Sequence, residues 1–262
     1  MPLLHAAGAV LGWVAFLGSP TYRRRFVDNA RQAGYGFAQV RRAVGEAGKM
    51  ALEIPRLWFG KAPQVEWDGA EHVDAARAQG RGLVFLTPHL GCFEVTAQAY
   101  AQRFGPVTVL YRPPRKAWLQ DLVATGRARA NLATAPATLS GVRQMLRALR
   151  SGGVVGLLPD QVPPRGMGVW APFFGRDAYT MTLPARLVQQ TGAALLLIWG
   201  ERLPRGRGYR VRVRPWPEPL ALGQEEAARQ VNAGMEQLVR LLPQQYLWGY
   251  ARYKTPRGEA SA

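Results

Sequence analysis

Hydrophobic and polar positions follow three successive patterns along the chain. From Met1 to Gly18 there is no Asp, Glu, Lys or Arg, and the next residues are Ser19-Pro20 and the triplet Arg23-Arg24-Arg25. As a helix this stretch reaches about 27 Å, slightly short of the roughly 30 Å hydrocarbon thickness of a bilayer. Basic residues follow the apolar stretch instead of preceding it, which argues against a cleaved signal peptide and for an anchor that spans the membrane or lies in its interface. The small residues Ala6, Ala7, Gly8, Ala9 and Gly12 lower its hydrophobicity, so a buried helix fits the same stretch. Positions 21–60 then carry Phe26, Ala30, Ala33, Phe37, Val40 and Val44 at helical spacings, with Arg23, Arg24, Arg25, Arg31, Arg41 and Arg42 between them. This predicts an amphipathic helix packed on the main domain, whose basic face is solvated and can also be drawn to anionic lipid head groups.

From Glu66 onward short apolar runs alternate with helical periods. Strands are predicted at 82–87, 107–111, 154–158, 194–199 and 209–214, and helices near 71–79, 93–104, 116–130, 139–150, 183–191 and 224–242. Strands alternating with helices imply an α/β fold, a mainly parallel sheet flanked by helices. The resulting division is an anchor or interfacial helix at 1–20, a basic helical region at 21–65, an α/β domain at 66–254 and a tail at 255–262.

Composition sharpens this picture in two ways. The 262 residues hold 34 Lys+Arg against 17 Asp+Glu, a formal charge of +17, yet 48% are hydrophobic. That apolar fraction excludes a disordered basic tail, and the charge calls for an anionic partner. The single cysteine, Cys92, excludes an intrachain disulfide and a thiolate-only zinc site. A nucleic-acid-binding reading draws on Arg210, Arg212 and Arg214 alternating with Val211 and Val213, but no RNP-like aromatic strand, zinc spacing or clear helix-turn-helix accompanies them.

The candidate chemistry centres on Leu83-Val-Phe-Leu-Thr-Pro-His-Leu-Gly-Cys-Phe-Glu94. An apolar strand ends at Thr87-Pro88, so His89 stands at a carboxyl strand end, where open α/β sheets place their ligands. His89 can act as a general base, with Glu94 folding back across the turn to hold its other ring nitrogen. The same spacing suits a helix-capping histidine with Glu94 complementing the helix dipole. Arg112 also follows a strand and suits phosphate or oxyanion charge. Asp160 is placed to orient Arg112 or a substrate hydroxyl and Gln161 to donate a side-chain hydrogen bond, although Pro159-Asp160 also opens turns. Phe173-Phe174-Gly175 fits core or loop packing as well as the wall of an apolar pocket, and His5 and His72 lack partners at ligand spacing.

Taken in order, His89-x4-Glu94, Tyr111-Arg112-Pro113-Pro114, Pro159-Asp160-Gln161, Phe173-Phe174-Gly175 and Leu247-Trp248-Gly249-Tyr250-Ala251-Arg252-Tyr253 resemble the lipid A late acyltransferases. These are the lauroyl and myristoyl transferases of the bacterial lysophospholipid acyltransferase superfamily, and the resemblance runs from about Tyr22 to Lys254. It implies transfer of an acyl chain from an acyl carrier protein thioester to a hydroxyl of an anionic glycolipid precursor, without a cofactor or a metal. It also implies the inner membrane as location, with the active site on the cytoplasmic face and no nucleic-acid partner. His89 and Glu94 would be the catalytic pair; Arg112, Asp160 and Gln161 would bind substrate. A lysophospholipid or an ornithine lipid is the alternative acceptor.

Three departures from the family pattern bear on mechanism. Cys92 stands where many relatives have Asn, which admits an acylated Cys92 with His89 as its base. Arg115-Lys116-Ala117 replaces a common Asn-Pro, which leaves acceptor choice open, and the amino terminus is short for the family.

Overall fold

The computed structural model describes residues 1–114, 116–127 and 129–256, and not the side chains of residues 117–119, 121 and 124. Arg115 and most of the expected 255–262 tail lie outside the described residues.

Four helices come first: α1 (Pro2–Gly18), α2 (Pro20–Gln32), α3 (Phe37–Val40) and α4 (Arg42–Phe59). The predicted continuous helix over 21–60 is therefore broken, with Gly34 at φ 86° and Gly36 as the N-cap of α3. Among the described residues no single helix is long and apolar enough to cross a membrane, and α1 bends into α2 by 100° at Ser19, whose side chain accepts from the Tyr22 N–H.

One face of α1 is buried against α4. A Cβ on Gly48 would stand 2.0 Å from the Gly8 carbonyl oxygen, and one on Gly12 would stand 2.2 Å from that of Val44, so the two backbones touch. The small residues of the apolar stretch thus serve close helix packing. The other face exposes Leu3, Val10, Leu11, Trp13, Val14 and Leu17.

The rest of the chain runs β1 (Val65–Asp68), α5 (Ala70–Ala78), β2 (Leu83–Leu86), α6 (Phe93–Phe104), β3 (Val107–Tyr111), α7 (Ala117–Arg127) and β4 (Leu132–Pro136). There follow α8 (Leu139–Arg150), β5 (Val154–Leu157), β6 (Gly168–Phe173), β7 (Arg176–Met181), α9 (Leu183–Thr191), β8 (Ala194–Arg202), β9 (Tyr209–Pro215) and α10 (Gln224–Leu241). The main sheet has the order β1-β9-β8-β2-β5-β3-β4, parallel at every pairing except β8 with β9. The mainly parallel α/β class expected from the alternating pattern is what the chain adopts.

Central β2 shows why its sequence reads as unbroken apolar. Leu83 and Phe85 face α5 and α6 with Val95, Tyr100 and Ile198, while Val84 and Leu86 face α8, α9 and α10 with Met145, Leu187 and Met235. A strand covered on both faces has no polar alternation to show. β6 and β7 form a separate antiparallel hairpin whose two-residue turn is Phe174-Gly175, both at positive φ. Phe173 and Phe174 are buried in the core, so the Phe-Phe-Gly segment is a turn and a packing element.

A buried ionic network ties the amino-terminal helices to the sheet. Arg202 at the end of β8 donates to both Glu53 carboxylate oxygens, at 2.7 and 2.6 Å, and to Glu46 at 2.8 Å. His5 of α1 lies 2.7 Å from Glu53, and the Tyr209 hydroxyl donates to the same carboxylate at 3.0 Å. Burial alone would raise the Glu53 carboxyl, but the hydrogen bonds of His5 and Arg202 outweigh it and hold the group at about 2. His5, a residue without an evident partner in sequence, is thereby a structural pin.

Because the Glu53 pKa is depressed from its usual 4.5, its contribution to stability is full above about pH 4.5 and is lost as the pH falls toward 2. Glu53→Gln, which leaves Arg202 buried without its bidentate acceptor, is expected to lower unfolding free energy at neutral pH by about 3–5 kcal/mol. Denaturant melts of both proteins at pH 7 and pH 3 check this, with the gap narrowing at the lower pH.

Candidate active site

Three neighbouring parallel strands deliver the site. β2, β5 and β3 lie side by side, and their carboxyl ends lead into His89, Asp160-Gln161 and Arg112 respectively. After β2 the chain turns through Gly91 at φ 57°, where a Cβ would lie 2.0 Å from the Gly200 carbonyl oxygen, so only glycine fits. The loop is pinned on several sides. Gly91 N–H donates to the Gln245 carbonyl at 2.9 Å, Cys92 N–H to the Gly200 carbonyl at 2.8 Å, and Arg202 donates to the Gly91 carbonyl at 3.2 Å.

His89 is held by Asp160. The Nδ1 of His89 lies 2.7 Å from Asp160 Oδ1, and the His89 backbone N–H donates to Oδ2 at 2.9 Å. Asp160 is 2% exposed. Burial works against its charge, and the facing His89 together with its hydrogen bonds and the nearby Arg252 holds the carboxyl below the usual range. An ionised Asp160 requires the proton on Nδ1, which leaves the Nε2 lone pair directed outward. Gln161 meets it, with its Nε2 amide nitrogen 3.0 Å from His89 Nε2.

Glu94 is engaged elsewhere, which corrects the expected His89–Glu94 pairing. Its carboxylate forms an ion pair with Arg127 of α7 and accepts from the Trp58 indole N–H at 3.2 Å. Helix α6 begins at Phe93, so Glu94 projects from the first turn of that helix toward α4 and α7, while Asp160 approaches the histidine ring from the adjacent strand end. Asp160 likewise orients the histidine and makes no ion pair with Arg112. Arg112 is exposed on the wall of the cleft that contains His89 and Gln161.

That cleft is open to solvent and is walled chiefly by apolar groups, among them Phe93, Leu110, Val142, Met167, Met181 and Leu183. A second apolar pocket lies beside it, between β2, β3, β5 and α6, lined by Phe85, Tyr100, Val109, Leu132 and Ile198. Phe93, Leu110, Arg127 and Leu158 border both spaces, and Glu94 lines the second. Among the described residues no group of three or more His, Cys, Asp or Glu side chains is arranged to hold a metal ion.

Cys92 does not face this chemistry. It is buried, and burial together with the Glu53 charge raises its thiol well above the ordinary range. Arg127, Trp58 and Arg252 were not among the expected site residues. Arg252 lies in the Leu-Trp-Gly-Tyr-Ala-Arg-Tyr segment, donates to the Tyr179 carbonyl and the Thr180 hydroxyl, and adds positive charge behind Asp160.

The bacterial lipid A biosynthesis acyltransferase family model matches residues 35–255. The chain belongs to this family. It is 28% identical over 220 residues to the lipid A biosynthesis palmitoleoyltransferase of Escherichia coli (strain K12), covering 82% of this chain and 71% of that protein. Against the lipid A biosynthesis lauroyltransferase of the same organism it is 29% identical over 222 residues, with the same coverage. A phosphatidylinositol mannoside acyltransferase of Mycobacterium tuberculosis (strain ATCC 25618 / H37Rv) is 32% identical over 154 residues, 56% of this chain and 46% of that one. The protein is accordingly an acyltransferase.

A thiol buried and raised in this way reacts only when exposed. Cys92 is expected to modify with a disulfide reagent at the rate of unfolding in native buffer and at once in denaturant; fast native modification would contradict its placement.

Proposed function

We propose that this acyltransferase moves a fatty acyl chain from an acyl carrier protein thioester to a hydroxyl of a lipid A precursor at the cytoplasmic face of the inner membrane. The observation that carries the chemistry is the Asp160–His89 clamp, which points a basic ring nitrogen into an apolar-walled cleft. His89 Nε2 takes the proton of the acceptor hydroxyl as its oxygen attacks the thioester carbonyl, and Asp160 stabilises the imidazolium. When the tetrahedral intermediate collapses, the C–S bond breaks and His89 returns the proton to the departing thiolate, leaving an ester and a free thiol. Gln161 must release Nε2 as the hydroxyl arrives, and its amide and Arg112 are then the donors available to the oxyanion.

Glu94 enters through Arg127. The ion pair fixes the residue that borders both the cleft and the second pocket, and the two together offer the apolar surroundings an acyl chain needs. The acceptor reading follows the names of the relatives. The mannoside acyltransferase among them favours a glycolipid acceptor over a lysophospholipid or an ornithine lipid.

Membrane attachment is proposed for the exposed face of α1. Its apolar side chains lie beside α2, where Arg24 and Arg25 are exposed, whereas Arg23 donates to the Leu17 carbonyl and caps α1. A helix with one face packed on α4 and an apolar face outward suits the interface, with nearby arginines meeting anionic head groups.

His89→Ala should cut turnover by at least about a hundredfold without unfolding the protein. Asp160→Asn, which keeps the shape but removes the charge and turns one of the two acceptors facing His89 into a donor, should cost up to about ten-thousandfold. Near-normal kcat in either variant, measured with acyl carrier protein thioester and a lipid A precursor, would contradict the mechanism. Mass spectrometry of lipid A and total lipids from a deletion strain tests the acceptor: loss of one acyl chain from lipid A is expected, and an unchanged lipid A with an altered phospholipid would overturn that assignment. Replacing Arg24 and Arg25 by Gln should weaken binding to anionic vesicles by roughly thirtyfold, at about 1 kcal/mol for each charge. Sedimentation at low and raised salt reads the difference.

A further inference from the structure

The chain neutralises most arginines of its sheet and carboxy-terminal helix. Arg202 is paired with Glu46 and Glu53, Arg210 with Glu66, Arg212 and Arg214 with Asp68, Arg229 with Glu226 and Arg240 with Glu236. The alternating Arg210-Arg212-Arg214 row is therefore a charge-balanced ladder. Helix α8 is different. Residues 122–159 contain no Asp or Glu at all, and Arg143, Arg147 and Arg150 recur at helical spacing on the face of α8 opposite its buried Met145 and Leu149. All three are exposed, and among the described residues none has a carboxylate within ion-pair distance.

This stripe starts at the cleft. Val142, next to Arg143, forms part of the wall of the His89 cleft, as does Arg112, so positive charge runs from the mouth of the site out along α8. Arg143 and Arg150 are about 10 Å apart along the helix axis, which extends the basic track by two turns. The surface lacks the apolar side chains that α1 presents. Leu139, at the start of the helix, is the one large hydrophobic residue exposed on α8, against six on α1. A strongly charged face without an apolar patch suits an acidic protein surface held by long-range attraction, and not insertion among lipid tails.

We infer that Arg143, Arg147 and Arg150 form the docking surface for an acidic carrier protein that presents the acyl thioester to His89 on a flexible arm. The inference rests on the acyl-carrier reading above and adds the place of contact. Docking here would leave the thioester arm to enter past Arg112, while the α1 face remains free for the membrane.

The test uses the full-length enzyme and its Arg143→Glu/Arg147→Glu/Arg150→Glu variant with two donors, a lauroyl thioester of a purified bacterial acyl carrier protein and a lauroyl-pantetheine thioester. Electrostatic steering changes association by about ten- to a thousandfold, so the variant should raise KM for the carrier thioester at least about tenfold with kcat little changed. Its kcat/KM for the pantetheine thioester should stay within about twofold, and its carrier KM should lose the salt dependence shown by the parent. An unmoved carrier KM in the variant, or an equal loss with both donors, would overturn the docking surface. So would weakened binding to anionic vesicles with an unmoved carrier KM, which would make the stripe a lipid contact. A parent that turns over the pantetheine thioester but not the carrier thioester would overturn the carrier-donor reading itself and this proposal with it.

Discussion

A carboxylate removed from water keeps its charge only where hydrogen bonds and opposite charge replace the lost solvation. Asp160 meets that condition through His89, which supplies both a ring N–H and a backbone N–H, and through Arg252 behind it. The constraint works in both directions. The histidine supplies the bonds that keep Asp160 ionised, and the ionised Asp160 fixes the tautomer and the direction in which His89 faces the cleft. Both strand ends must then meet in fixed register, which the parallel pairing of Leu86 with Leu157 provides.

Beneath this clamp the Glu53–Arg202 network links distant parts of the chain. Arg202 reaches the Gly91 carbonyl in the turn that follows His89, while Glu53 receives His5 from the first helix. The helix that presents its apolar face outward is therefore bonded, through two buried charged residues, to the loop that follows His89. Removing a partner from such a network leaves an uncompensated charge, which makes it a mechanical support for the site more than a source of net stability.

The sheet was legible because its strands follow from simple patterns. Val107–Tyr111 and the helices Phe93–Phe104, Leu139–Arg150 and Leu183–Thr191 agree end to end with their periodicity. Val65–Asp68 and Leu132–Pro136, which lie at the sheet edges with polar or small residues, carry too little apolar signal to stand out. The hairpin of β6 and β7 was hidden because its Phe-Phe-Gly turn reads as an apolar run. At the site, the residues were visible but their pairing was not. Glu94 lies five positions from His89 in sequence, yet its direction is set by the start of α6, whereas Asp160 is 71 positions away and arrives by the pairing of β2 with β5. Arg127 was silent because a lone arginine in a helix carries no mark of its partner.

The central claim is that Asp160, and not Glu94, holds the His89 ring. Proton NMR of the folded protein observes this bond directly, since an imidazole Nδ1–H donated to a buried carboxylate exchanges slowly and resonates far downfield. The account predicts such a resonance for His89, absent in His89→Ala, retained in Glu94→Gln and lost in Asp160→Asn. A resonance that survives Asp160→Asn and disappears in Glu94→Gln would contradict it.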